Sequence, residues 1–289
     1  MTWRAWAAFA ALCIVWGIPY FFIKIALTEI PPAGVAFGRL ALGALVLLPI
    51  AWKRGVLPQT RARLGAIVVF ALVELVGPFF LISLGETWIS SSLTGILIAT
   101  VPLSVVLISP LFGVKERLST RRAIGLAVGF FGVVALLGID PPKSALQWAG
   151  VACMLVSVAG YAVGSLIIQR FLHGVDELAA VAVSLGVAAV VLFPVAAWTV
   201  PPIVPSAHVL TAVAVLGVVC TAVALLCYVY LISQAGASRA SIITYVNPAV
   251  AVLLGVLILG EHFGVGTVLG FVMIIIGSWL GTRGPQPNT

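Results

Sequence analysis

Three ionisable side chains, Lys24, Arg39 and Glu74, stand inside runs of residues that are otherwise almost wholly apolar. A charge in such a setting is costly unless it faces a partner or a wet cavity, so these three are the first candidates for function. Lys24 and Arg39 could attract a carboxylate. Glu74 could belong to a substrate cavity, latch onto Arg39, or carry a coupling proton. The last two roles compete, because an ion-paired carboxylate is a poor proton carrier. Trp16, Tyr20 and Lys24 recur at i, i+4 spacing and therefore share one helix face. Ser157, Tyr161 and Ser165 form a second polar stripe, and Ser238, Ser241 and Tyr245 a third. With Phe79 and Phe80, these groups offer π faces to a flat or cationic solute and hydroxyls to orient it. The expected substrate site is Trp16, Tyr20, Lys24, Arg39, Glu74, Phe79, Phe80, Tyr161, Ser165 and Tyr245.

Other chemistry is not legible. Cys13, Cys153, Cys220 and Cys227 all fall in apolar segments without a CxxC pair, and they read as small buried hydrophobes. His173, His208 and His262 lie in separate loops, so no metal site and no cofactor is expected. No HExxH or GxSxG occurs, and the expectation is a protein that is not an enzyme.

The elements that must hold these groups are set by composition. Of 289 residues, 62% are apolar and only 8% charged, and the mean hydropathy is +1.25. Soluble globular chains need about 25% charged residues to solvate their surfaces, so the solvent here is lipid. A membrane helix takes about 20 mostly apolar residues, and ten such spans are expected near 6–27, 33–52, 64–84, 91–111, 123–139, 148–169, 178–198, 209–232, 240–259 and 265–281. The first run is too long to be a signal peptide and is read as a span.

The net charge of +7 does not point to nucleic acid, because the bases sit in short loops rather than on one basic module. Counted on alternate sides of the ten spans, twelve fall on one side (Arg4, Lys53, Arg54, Arg61, Arg63, Lys115, Arg117, Arg121, Arg122, Arg170, Arg239 and Arg283). The other side holds only Lys143, so both termini are expected in the cytoplasm.

A shift of 146 residues brings Ser92, Gly95, Ala99 and Pro102 onto Ser238, Ser241, Tyr245 and Pro248. After a one-residue slip, Glu116, Gly125 and Gly132 meet Glu261, Gly270 and Gly277. Five spans per unit is an odd number, so the second unit, 143–289, must enter the membrane inverted relative to the first, 1–142. That construction encloses a central cavity in many secondary transporters. Pro19, Pro78, Pro102 and Pro248 interrupt helices near membrane depth and are the expected kinks or hinges. The Gly125-xxx-Gly129 and Gly277-xxx-Gly281 spacings permit close helix approach, read as contact within one chain, and a monomer is expected.

WGIPYFFIK (Trp16 to Lys24), Pro31 and FGRLALGAL around Arg39 resemble the EamA branch of the drug/metabolite transporter superfamily. The resemblance continues through Pro102, Glu116 and the glycines of the fifth span, and recurs at Pro248, Glu261 and Gly270. It implies a ten-helix, all-α inverted-repeat carrier of the bacterial inner membrane, exporting amino acids, other metabolites or toxic compounds. Within the branch the chain is similar to bacterial aromatic amino acid exporters. In small multidrug relatives a first-span glutamate couples protons; this chain has no acid there. The expected function is export of small organic metabolites, amino acids including aromatic ones, by alternating access. The rival is export of aromatic cations with Glu74 as counter-charge or proton carrier.

Overall fold

The computed structural model describes residues 3–113, 120–139, 141–201, 203–235, 243–262 and 264–282. Among them the regular structure is helical, in ten segments. α1 comprises Trp3–Val15 and, after a break, Pro19–Ala26. α2 is Pro32–Lys53, α3 Leu57–Gly85 and α4 Ser91–Phe112. α5 is Thr120–Ile139, α6 Ala145–Phe171 and α7 Glu177–Trp198. α8 runs through Ala207–Ala214, Val215–Val223 and Ala224–Ala235. α9 is Ile243–Leu257 and α10 Val265–Thr282.

Seven of these helices, α1 to α4 and α6 to α8, are long and apolar enough to cross a membrane. The other three supply shorter apolar stretches, Ala123–Ile139, Val246–Leu257 and Val265–Leu280. The span expected at 123–139 is thus present as an apolar stretch of that length, headed by Arg121 and Arg122. The one expected at 240–259 begins among residues outside the described ones. Large apolar side chains cover the exterior: Leu45, Phe130 and Leu257 are all exposed, as a lipid-facing surface requires.

Short connections make successive helices antiparallel, so the starts of α1, α3, α7 and α9 share one face, here the first, and the starts of α4, α8 and α10 share the second. The main pairings are α5 with α10, α3 with α6, α2 with α7, α1 with α8, α3 with α7 and α4 with α6; α2 also packs on α8 and α4 on α9. The α5–α10 seam is made by small residues. A Cβ on Gly277 would run into the backbone of Gly129, so only glycine there lets the two helices meet this closely. A core of Leu40, Leu47, Ile67, Phe70 and Leu185 joins α2, α3 and α7, and a second core, including Ile23, Ile96, Met154 and Leu216, joins α1, α4, α6 and α8.

Four helices are irregular where they cross the middle. α1 breaks between Val15 and Pro19, whose ring presets the first turn of the resumed helix. α4 breaks at Ala99-Thr100, just before Pro102. α3 and α8 widen into π turns over Ala71–Val76 and Val215–Val223. The 146-residue shift carries 71–76 to 217–222, inside the second of these turns. Widened turns leave carbonyls without their ordinary partner, and such turns concentrate at functional sites. Here the Thr221 hydroxyl donates to the Leu216 carbonyl, five residues back, at 2.9 Å.

Candidate functional site

The irregular segments converge on one cavity of about 460 Å³. Trp16, Pro19 and Tyr20 come from the break in α1, and Arg39 from the middle of α2. The π turn of α3 supplies Glu74 and Leu75, and Phe79 follows one turn later. α4 adds Gly95, Ala99 and Pro102 at its own break, and α6 adds Tyr161, Ser165 and Ile168. Cys220 and Thr221 come from the π turn of α8, Tyr228 from beyond it, and Asn247 and Pro248 from α9. Local strain in four helices thus builds one lining, with polar groups set into a mainly apolar wall.

Arg39 is held from two sides. Its Nε donates to Thr221 Oγ1 at 3.0 Å, and its guanidinium carbon lies 4.1 Å from the centre of the Phe79 ring. Stacking leaves the terminal nitrogens of the planar fork available for a bidentate acceptor, the arrangement that suits a carboxylate. Glu74 lies against the backbone of α6 at Gly164, where a Cβ would collide with its carboxylate. The bulge of the π turn needs that gap to seat the side chain. Glu74 Oε2 is buried and has no hydrogen-bond partner. No ion pair joins Glu74 to Arg39 among the described residues, so the latch drawn from sequence is not formed: Arg39 is committed to Thr221 and Phe79 instead. The cavity presents a guanidinium and a carboxyl that are not paired with each other. Trp16 and Tyr228, their ring centres 4.9 Å apart, form an aromatic corner of the same wall.

Seven of the ten residues expected at the site line this cavity: Trp16, Tyr20, Arg39, Glu74, Phe79, Tyr161 and Ser165, as do Pro19, Pro102 and Pro248. Lys24 does not. It lies near the C-terminal end of α1, and its Nζ donates to the carbonyls of Glu86 at 2.5 Å and Ile89 at 2.7 Å. Phe80 packs into the α2–α7 core, because the neighbour of an inward Phe79 on a helix points about 100° away. Pro78 is buried against Gly160 of α6. The side chain of Tyr245, and Glu116, Ser238 and Ser241, lie outside the described residues. Thr221, Tyr228 and Asn247 were missed. Asn247 had a signal, a polar amide directly before a mid-span proline; Thr221 in an apolar run had none.

The cavity lining runs from Gly95, about one helical turn inside the second-face start of α4, and Tyr20 to Ile168 and Val181, near the first face, where Ser165 and Ile168 are exposed. At the second face two connections are hydrogen-bonded to helix starts. Glu261, in the connection between α9 and α10, takes the start of α4 in both carboxylate oxygens. Oε1 accepts from Ser91 N at 2.7 Å and Ser91 Oγ at 2.9 Å, while Oε2 accepts from Ser92 N at 2.9 Å and Ser92 Oγ at 2.5 Å. A carboxylate at a helix N-terminus satisfies orphan N–H groups and the helix dipole together. Glu29 accepts the Ser206 N–H at 2.6 Å, tying the α1–α2 connection to the start of α8. That bond, with the Ser206 hydroxyl, holds the exposed Glu29 carboxyl below the usual range.

The profile of the EamA-like transporter family matches residues 2–138 and again 148–283. An uncharacterized inner membrane transporter, YedA of Escherichia coli K12, is 31% identical over 96% of this chain and 90% of its own length. An uncharacterized transporter of Bacillus subtilis, YoaV, is 24% identical over 94% of each chain. A protein crystal structure, 19% identical, covers 98% of this chain and 97% of that one with a TM-score of 0.69, a likeness of fold alone.

Proposed function

The chain belongs to the EamA-like transporter family and is a membrane transporter, and from that premise we propose that it exports small zwitterionic metabolites, amino acids with aromatic side chains among them, by alternating access. One observation carries the reading: a guanidinium and a carboxyl not paired with each other, Arg39 and Glu74, share one aromatic-lined cavity. Arg39 takes the substrate carboxylate, Glu74 its ammonium, and the Trp16–Tyr228 corner its side chain. A bound zwitterion pairs the Arg39 cation with its carboxylate, and its ammonium pairs with the Glu74 carboxylate ionised in that complex, so the loaded carrier crosses its occluded state without a bare charge in a low-dielectric interior.

Alternating access is supported by the asymmetry of the two faces: the cavity lining extends toward exposed Ser165 and Ile168 at the first, while Glu261 bonds the α9–α10 connection to α4 at the second. The family profile matches once in each half, and the two π turns occupy corresponding places, which supports two related five-helix units of opposite orientation. The charge count supports a cytoplasmic first face, and the inner-membrane relative supports that membrane as the location.

The test is flux in proteoliposomes loaded with labelled phenylalanine, phenylethylamine or a quaternary aromatic amine. Saturable phenylalanine efflux, competed by other amino acids and not by the amines, is expected. Efflux of the amines alone would replace this reading with export of aromatic cations, for which Glu74 would be the counter-charge.

A further inference from the structure

Glu86 follows the last residue of α3, beside the second face, and the cavity does not include it. It is fully buried, and neither of its carboxylate oxygens has a hydrogen-bond partner. An ionised carboxylate cannot be held so without a large desolvation cost. The cation beside it does not repair this, because the Lys24 ammonium spends its hydrogen bonds on the carbonyls of Glu86 and Ile89. From the connection between α9 and α10, Glu261 adds a second negative charge, already satisfied by Ser91 and Ser92. From α2, Arg39 acts at longer range, and from α1 the neighbouring titratable groups are Lys24 and Tyr20. Burial pushes the Glu86 carboxyl well above the usual carboxylate range; Lys24 opposes this, Glu261 adds to it and Arg39 opposes it.

We propose that Glu86 is a proton-binding gate: its carboxyl is protonated while the second face is shut, and that face opens as the proton leaves. The step is heterolytic. The O–H bond of the carboxyl breaks, its electron pair stays on the carboxylate, and the proton passes to water at the opening face. The bare charge then favours hydration, which the clasp of Glu261 on α4 prevents until it parts. Protonation and closure are thus linked through one site, and alkaline conditions on the second face favour the open state. The inference rests on the alternating-access reading above.

The experiment reads opening directly and needs no substrate. Ile89 is buried beside this cluster and Thr87 is exposed. In full-length protein without its four native cysteines, reconstituted in nanodiscs, maleimide labels Ile89→Cys across a pH series. Rates are normalised to Thr87→Cys, which corrects for thiol ionisation. One linked proton predicts a normalised rate that rises by about tenfold per pH unit while the closed state dominates. Glu86→Gln must flatten the profile at the closed level, whereas Glu261→Gln must keep a slope. Lys24→Gln, a second variant should Glu86→Gln fail to fold, must move the onset to more alkaline pH, because a cation that favours the ionised form is gone. A flat profile with Glu86 present, an unshifted onset in Lys24→Gln, or a slope that survives Glu86→Gln would overturn the proposal. Absent phenylalanine flux with the slope intact would instead strike the functional reading.

Discussion

Arg39 is held in place by the protein itself, as the proposed role in binding a solute requires. Its Nε is used by Thr221 and its plane rests on Phe79, so the guanidinium is oriented at little further entropic cost while its terminal nitrogens stay available. Replacing it by Gln removes a charge-assisted pair with the carboxylate, and the KM for phenylalanine efflux is expected to rise about tenfold to a hundredfold. Arg39→Lys should recover little, since a lysine keeps the charge and loses both the fork and the stacking. Flux kinetics of the two variants in proteoliposomes check this; a Lys variant equal to the parent would show that only charge matters. Arg39, Glu74 and the Trp16–Tyr20 face were legible from sequence because a polar group in an apolar run is a strong signal. Lys24 carried the same signal and serves another end, since depth along a helix is not written in residue type. Glu86 was overlooked because a carboxylate just past a span reads as a solvated loop residue, and only packing against α1 and the α9–α10 connection buries it.

At the scale of elements, rigidity and irregularity are distributed unequally. α5 and α10 are continuous α-helices over their described residues, sealed by glycines, with none of the breaks that shape the cavity. Gly129→Leu or Gly277→Leu would force that seam apart, at an expected cost of about 1–3 kcal/mol from overpacking. The expected readout is a lower thermal unfolding midpoint with an unchanged KM in the surviving fraction. A raised KM at unchanged stability would place the seam in the transport site instead. By contrast, the breaks of α1 and α4 and the π turns of α3 and α8 all border the cavity. Pro19 and Pro102 announced two of the irregular places in the sequence. The π turns had no such mark: Ala71–Val76 and Val215–Val223 contain no proline, and hydrophobic periodicity does not resolve one extra residue in a turn.

For the whole molecule, composition alone settled the solvent, and spacing of apolar runs located the helices to within a few residues, because lipid thickness sets both. Which helices pair was not legible. Leu, Ala, Val and Gly recur on every face, so only the observed contacts separate the α3–α6 and α2–α8 seams from the lipid-facing sides. The pairing matters for the cavity: it puts Arg39 beside Thr221 and Glu74 beside Gly164, contacts on which the proposed solute site rests. The most direct test of the proposed site is alkylation of Ser165→Cys, on the cavity wall, in protein reconstituted without its native cysteines. Phenylalanine is expected to slow the alkylation saturably, and completed alkylation to stop phenylalanine flux. Alkylation at an unchanged rate with phenylalanine present, together with flux that persists afterwards, would contradict that site.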